Sequence, residues 1–220
     1  MRNILAGISL LAITIFSFAS LAAAQELKDI PLPAPKTDGG KPLMQALKER
    51  QTSRAYDTKK LPPQVLSDML WAAFGINRAD SGKRTAPSTR NWQEIEIYVV
   101  MEEGSFLYDA KANRLQAVAA GDLRKMTGTQ DFVPAAPVNL VFVADTSKMK
   151  GASDADQLLY AGADTGFISQ NIYLFCASEG LATVVRGLIG DKKALAEALK
   201  LPEQKKIILA QTVGYPATAK

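Results

Sequence analysis

The chain contains no histidine and one cysteine in 220 residues. Those two absences remove much of the usual side-chain chemistry. A Ser-His-Asp or Cys-His catalytic arrangement needs an imidazole base, and structural zinc sites draw on Cys and His. Neither can be assembled here. A lone cysteine cannot form an internal disulfide, and Cys176 sits in an apolar stretch, where a small buried hydrophobe is expected rather than a nucleophile. Charge is present but unpatterned. The 26 Lys and Arg against 22 Asp and Glu give a net charge of +4, scattered without the basic stripe that nucleic-acid binding requires. Redox or transfer chemistry on such a chain calls for a cofactor.

Two segments precede the body of the chain. Arg2, the apolar run over residues 4–18 and the small residues Ala22, Ala23 and Ala24 have the form of a secretory signal. Residues 1–24 are therefore expected to direct export, in a bacterium to the periplasm, with an uncleaved membrane anchor as the alternative. Residues 25–41, rich in Pro and Gly, read as an extended linker. Residues 42–220 are long enough for one domain with a proper core.

Within that domain Pro42 starts a helix ending near Arg50, with Leu43, Met44 and Leu47 on one face. A second helix opens at Leu61-Pro62-Pro63, carries Leu66, Met69, Leu70 and Ala73 at helical spacing, and stops at Gly75. A polar loop is expected over residues 76–83. Strands follow at 94–101 and 138–144, with a hairpin at 105–118, a short helix at 121–128 and a last strand at 206–213. Residues 192–199 form a short helix. Hairpins and helices without regular βα alternation indicate an α+β fold with a mostly antiparallel sheet flanked by helices.

The stretch at 160–187 organises the rest. It reads as a long helix ending at Gly180, followed by an apolar turn into Arg186-Gly187. Phe167, Ile168, Ile172, Leu174, Phe175 and Leu181 surround most of its circumference, which marks a buried helix. Gly162, Ala163, Gly166 and Ser169 permit close approach by another backbone.

Two loops carry chemical character. Arg50-Gln51-Thr52-Ser53-Arg54 brings two guanidinium groups and two hydroxyls together, a set suited to phosphate oxygens. A solvated helix end is the other reading of this patch. Pro87-Ser88-Thr89-Arg90-Asn91 is dense in hydrogen-bonding groups directly before a strand, where binding loops sit.

In this order and spacing, four patches resemble the nitroreductase superfamily of flavin enzymes. They are Arg50-x-Thr52-x-Arg54 followed by Ala55-Tyr56; Ala86-Pro87-Ser88-Thr89-x-Asn91-x-Gln93; the long helix closing in Ala177-Ser178-Glu179-Gly180; and a last strand ending in Gly214-Tyr215-Pro216. The segment from Trp71 to Ser88 is similar to the azoline (thiazoline and oxazoline) dehydrogenase branch. The resemblance implies FMN as cofactor, NAD(P)H as a donor, and a homodimer whose interface is built on the long helix. Arg50, Gln51, Thr52 and Arg54 would hold the phosphate. Pro87, Ser88, Thr89 and Asn91 would line the isoalloxazine or ribityl chain from the partner subunit, and Arg186 and Gly187 would approach flavin N5 and O4. A cation near N1 would come from Arg84, Arg90 or Arg186. The implied reaction is ping-pong transfer of two electrons through N5, to or from a nitroaromatic, a quinone or an azoline-like compound. An exported flavin- or ligand-binding protein without turnover is the alternative.

Overall fold

The computed structural model describes residues 26–217; the expected signal at 1–24 and the terminal Lys220 lie outside them. The segment before Pro42 is extended, as its prolines dictate, but it is also docked. Ile30–Pro31 (β1) pairs with the strand Arg114–Ala120 through Ile30 and Leu115. The Pro33 carbonyl accepts from Ser67 Oγ at 2.6 Å and Asn113 Nδ2 at 2.7 Å. The Lys41 amide donates to Ser178 Oγ at 2.8 Å. The arm thus ties one sheet edge to the far end of the long helix.

Leu43–Glu49 (α1) and Pro63–Phe74 (α2) start and stop where their prolines and Gly75 predict. The periodic face of α2 is buried through Met69, Leu70 and Ala73. The apolar face of α1 is bare: Leu43 is 64% and Met44 75% exposed, and only Ala46 is covered. The loop expected at 76–83 is instead a small hairpin, Ile76–Arg78 (β2) against Lys83–Arg84 (β3). Gly82, at φ +64°, takes the left-handed turn conformation that makes this possible.

Ile95–Val100 (β4), Gly104–Asp109 (β5), Arg114–Ala120 (β6), Val138–Asp145 (β7), Ala182–Arg186 (β8) and Lys205–Gly214 (β9) join β1 in a seven-stranded sheet. Its order is β1-β6-β5-β4-β7-β9-β8, and every pairing is antiparallel. The fold is α+β. The continuous apolar runs of β4 and β7 lie in the middle, covered on both faces. Two expectations need correction. The apolar turn before Arg186 is the strand β8, because Thr183, Val184 and Val185 are β-branched and find an open edge on β9. The helix expected at 121–128 is reduced to one 3-10 turn, Arg124–Thr127.

Asp154–Glu179 (α3) is the long helix. Ser153 caps it, with Oγ accepting from the Asp156 amide at 3.2 Å, and Gly180 closes it at φ +69°. Ala161, Ile168, Ile172 and Cys176 face the core. The opposite stripe is uncovered within one chain: Leu159 is 63% and Phe167 46% exposed, with Ala163, Gly166 and Gln170 between and beyond them. A Cβ added at Gly166 would meet nothing within 4 Å. The sequence reading of a buried helix therefore holds for one side only: the chain leaves the Leu159–Phe167 side uncovered. Lys192–Ala198 (α4), capped by Asp191, connects β8 to β9 and packs Leu195 against Val141, Val143 and Ile207 of the sheet. Among the described residues no helix is long and apolar enough to cross a membrane.

Candidate functional site

The segment after α1 is pinned by its backbone, which leaves its side chains free. The Ser53 amide donates to the Thr183 carbonyl on β8 at 3.0 Å. Tyr56 Oη donates to the Ser53 carbonyl at 2.7 Å, and Tyr56 bridges to Pro216. Gln51, Thr52 and Arg54 are exposed. Thr52 Oγ1 lies 3.1 Å from Tyr173 Oη on α3, which also accepts from the Val185 amide at 3.0 Å. The Arg50 guanidinium stands over the Tyr173 ring, 5.3 Å from its centroid. Neither Arg50 nor Arg54 has a carboxylate in ion-pair reach among the described residues. Two unneutralised guanidinium groups and a hydroxyl, held on a fixed backbone, form a donor set for an anionic oxygen cluster. Beside them opens a cavity of about 490 Å³ lined by Arg50, Gln51, Ser53, Tyr173, Leu181 and Pro216. That is within the usual range of cofactor and ligand pockets.

The 87–91 loop is fastened to α3 at another station. The Thr89 amide and Oγ1 donate to the two oxygens of Asp164, at 2.8 and 3.2 Å. Ser88 Oγ donates to Glu94 Oε2 at 3.1 Å and accepts from the Gln93 amide at 2.8 Å. Arg90, Asn91 and Gln93 all have positive φ, at 50°, 56° and 48°. Three non-glycine residues in that region within four positions mark a backbone held in place by its surroundings. Pro87 and Asn91 are exposed, and Ser88 and Thr89 half-buried. Burial pushes the Glu94 carboxyl up to about 7, and the neighbouring Asp164 adds to the rise.

One chain does not bring the two patches together. Tyr173 and Asp164 are nine residues apart on α3, about 13 Å along its axis and two and a half turns round it. The arginine patch and the loop therefore attach to opposite sides of the helix.

Arg186 is not part of either patch. Its guanidinium is 6% exposed and turned into the interior. Nε donates to Thr212 Oγ1 at 2.9 Å, Nη2 to Asn139 Oδ1 at 2.7 Å, and Nη1 to the Thr127 carbonyl. Among the described residues no carboxylate accompanies it, and burial pulls its pKa down to about 10, so it remains charged at neutral pH. A Cβ at Gly128 would overlap this guanidinium, which accounts for glycine there. The side chain of Arg186 is thus enclosed, and only its backbone and that of Gly187 border the open edge at β8. Arg84 is likewise engaged, by Gln93 Oε1 at 2.8 Å and the Phe74 carbonyl at 3.0 Å. Arg90 is exposed and stands over Trp92. Cys176 is fully enclosed and its thiol pushed well up by burial, which leaves it inert.

Tyr173, Glu94 and Asp164 are absent from the residues that sequence reading singles out. Asp164 carried a signal, a carboxylate in an otherwise apolar helical run. Tyr173 had none, since its role depends on β8 passing its hydroxyl. Another cavity, of about 650 Å³ between Leu158, Ala161 and Ile207, contains none of the predicted site residues.

The chain matches the sequence model of the nitroreductase family over residues 47–215. The crystal structure of a candidate nitroreductase from Ralstonia eutropha JMP134 is similar at TM-score 0.83 and 41% identity, covering 88% of this chain and 91% of that one. A candidate nitroreductase of Methanocaldococcus jannaschii is 27% identical over 177 residues, 76% of this chain and 88% of that protein. The FMN reductase [NAD(P)H] of Bacillus subtilis is 22% identical over 188 residues, 80% of this chain and 66% of the reductase.

Proposed function

The chain belongs to the nitroreductase family of oxidoreductases, and from that footing we propose that it binds FMN between the subunits of a homodimer and passes two electrons to or from a small organic substrate. The observation that carries this reading is the Arg50 guanidinium over the Tyr173 ring, beside the Thr52–Tyr173 hydroxyl contact and lining a cavity of about 490 Å³, with Arg54 exposed four residues on. FMN supplies reversible two-electron hydride chemistry at its N5. Arg50, Thr52 and Arg54 hold the phosphate, and the Gln51 backbone adds a contact. Pro87, Ser88, Thr89 and Asn91 of the other subunit close over the ring system or the ribityl chain, while the backbone at Arg186 and Gly187 borders the N5 side. The bare stripe of Leu159, Ala163, Gly166 and Phe167 is the surface on which the second copy packs, and it is the two-copy arrangement that unites the patches on opposite sides of α3.

The FMN reductase relative supports NAD(P)H as donor. Export of the mature chain to the periplasm puts a quinol or a protein partner in that role instead. Acceptors are planar compounds such as nitroaromatics and quinones; the segment from Trp71 to Ser88 supports azoline-like compounds as an alternative. Anaerobic titration of the FMN-loaded protein with NADH, NADPH and a quinol, followed in the visible spectrum, tests turnover. Bleaching by one of them, with recovery on adding a quinone or nitroaromatic, is expected. A flavin that none of the three reduces would leave a binding protein without turnover.

A further inference from the structure

Glu94 and Asp164 are 0% and 1% exposed, and they hold adjacent residues of one loop, Glu94 through Ser88 Oγ and Asp164 through the Thr89 amide and Oγ1, so that each carboxyl bears on the other. Two ionised carboxylates in such a site repel strongly at low local dielectric. Three of the four oxygens have neutral donors: Thr89 N–H and Thr89 Oγ1 on Asp164, and Ser88 Oγ on Glu94 Oε2. The fourth, Glu94 Oε1, is buried with no partner. A proton on Oε1, donated to Asp164, satisfies the orphan atom and removes the repulsion together.

Among the described residues no cation does this work. Arg84 is engaged by Gln93 and the Phe74 carbonyl. Lys148 reaches the Gln93 carbonyl at 3.3 Å and Glu96 at 3.7 Å, and Asp145 binds Ser147. Asp164 is the charged group that bears most on Glu94.

We propose that Glu94 carries a proton which it donates to Asp164, and that the two act as positioning residues, a latch that holds the 87–91 loop against α3 in its strained left-handed conformation and so sets where that loop meets the ligand of the other subunit. The ligand half of this statement rests on the FMN reading above; the latch itself does not. The folded-state pKa of Glu94, about 7, lies above the ordinary carboxylate value, so the native state holds the extra proton. The contribution of the pair to stability is complete below the unfolded value near 4.5, falls as pH rises through about 7, and is absent above it.

The test compares the full protein with its Glu94→Gln variant, whose amide still donates to Asp164 but cannot ionise. Thr89 amide hydrogen exchange and the thermal midpoint of the FMN-free protein are measured from pH 4 to 9. At pH 4, below the unfolded value, the two proteins should be closest, and the wild type should fall progressively behind the variant as pH rises. At pH 9 the wild-type Thr89 amide should exchange roughly 10- to 100-fold faster than in the variant at the same pH, with a lower midpoint. Superimposable profiles for the two proteins would overturn the latch. FMN affinity is then read separately: a wild-type Kd that weakens at high pH while that of Glu94→Gln holds carries the latch to the site. If the exchange profiles differ as expected but FMN never binds, the latch stands and the FMN reading fails. Should Glu94→Gln not fold, Thr89 exchange in the wild type, corrected for its intrinsic pH dependence, must still break near pH 7; a break-free profile overturns the proposal.

Discussion

An Arg186→Ala variant loses about 3 kcal/mol or more of folding stability, because it strips donors from the Thr127 carbonyl, Asn139 Oδ1 and Thr212 Oγ1 in a closed interior. At this chain length that corresponds to a fall of roughly 6–12 °C in thermal midpoint. Arg186→Lys recovers only part of the loss, since one ammonium cannot reproduce the geometry of a planar fork serving three acceptors. Arg186→Met keeps much of the volume and still leaves the acceptors unpaired, so it too is destabilised. Thermal unfolding followed by circular dichroism measures all three. A wild-type midpoint in Arg186→Ala would mean that the guanidinium is not enclosed as described, and that its charge is available elsewhere.

The arginine patch behaves oppositely. Arg54 is exposed, Arg50 half-buried, and neither is held by a carboxylate among the described residues, so Arg54→Ala leaves the midpoint within about 0.5 kcal/mol of wild type. Its effect falls on FMN. Loss of a charge-assisted contact to phosphate costs about 1.5–3 kcal/mol, roughly 10- to 100-fold in Kd. The paired Arg50→Ala and Arg54→Ala changes should approach a loss of about 10³-fold, with weaker salt dependence of the residual binding. Fluorescence titration of FMN gives the constants. Retained wild-type affinity in the Arg54 variant would remove Arg54 from the phosphate site.

The contrast between these arginines shows what a sequence makes legible. Arg50 and Arg54 follow a helix end and flank hydroxyls in a short segment, a local pattern whose chemistry needs no knowledge of the fold. Arg186 follows β-branched residues, and its surroundings come from Thr127, Asn139 and Thr212, 26 to 59 residues away in the chain. No local pattern encodes that cage. The same division runs through the fold. Pro63, Gly75 and Gly180 punctuate helices by local physics and lie where expected. The strand β8 was hidden because its identity depends on the open edge of β9. The docking of residues 30–41 depends on Ser67, Asn113 and Ser178, all distant in sequence. For the site, the two patches were visible one by one. Their attachment to opposite sides of α3 follows only once Thr52 and Thr89 are seen to reach Tyr173 and Asp164.

The most direct test of the account is the visible absorption spectrum of the protein over residues 25–220, recorded after incubation with FMN and desalting, with sedimentation of the same sample. The account predicts bands of oxidised flavin that remain with the protein, near one FMN per chain, on a species of dimer mass. A colourless protein, or a flavin-bearing monomer, would contradict it.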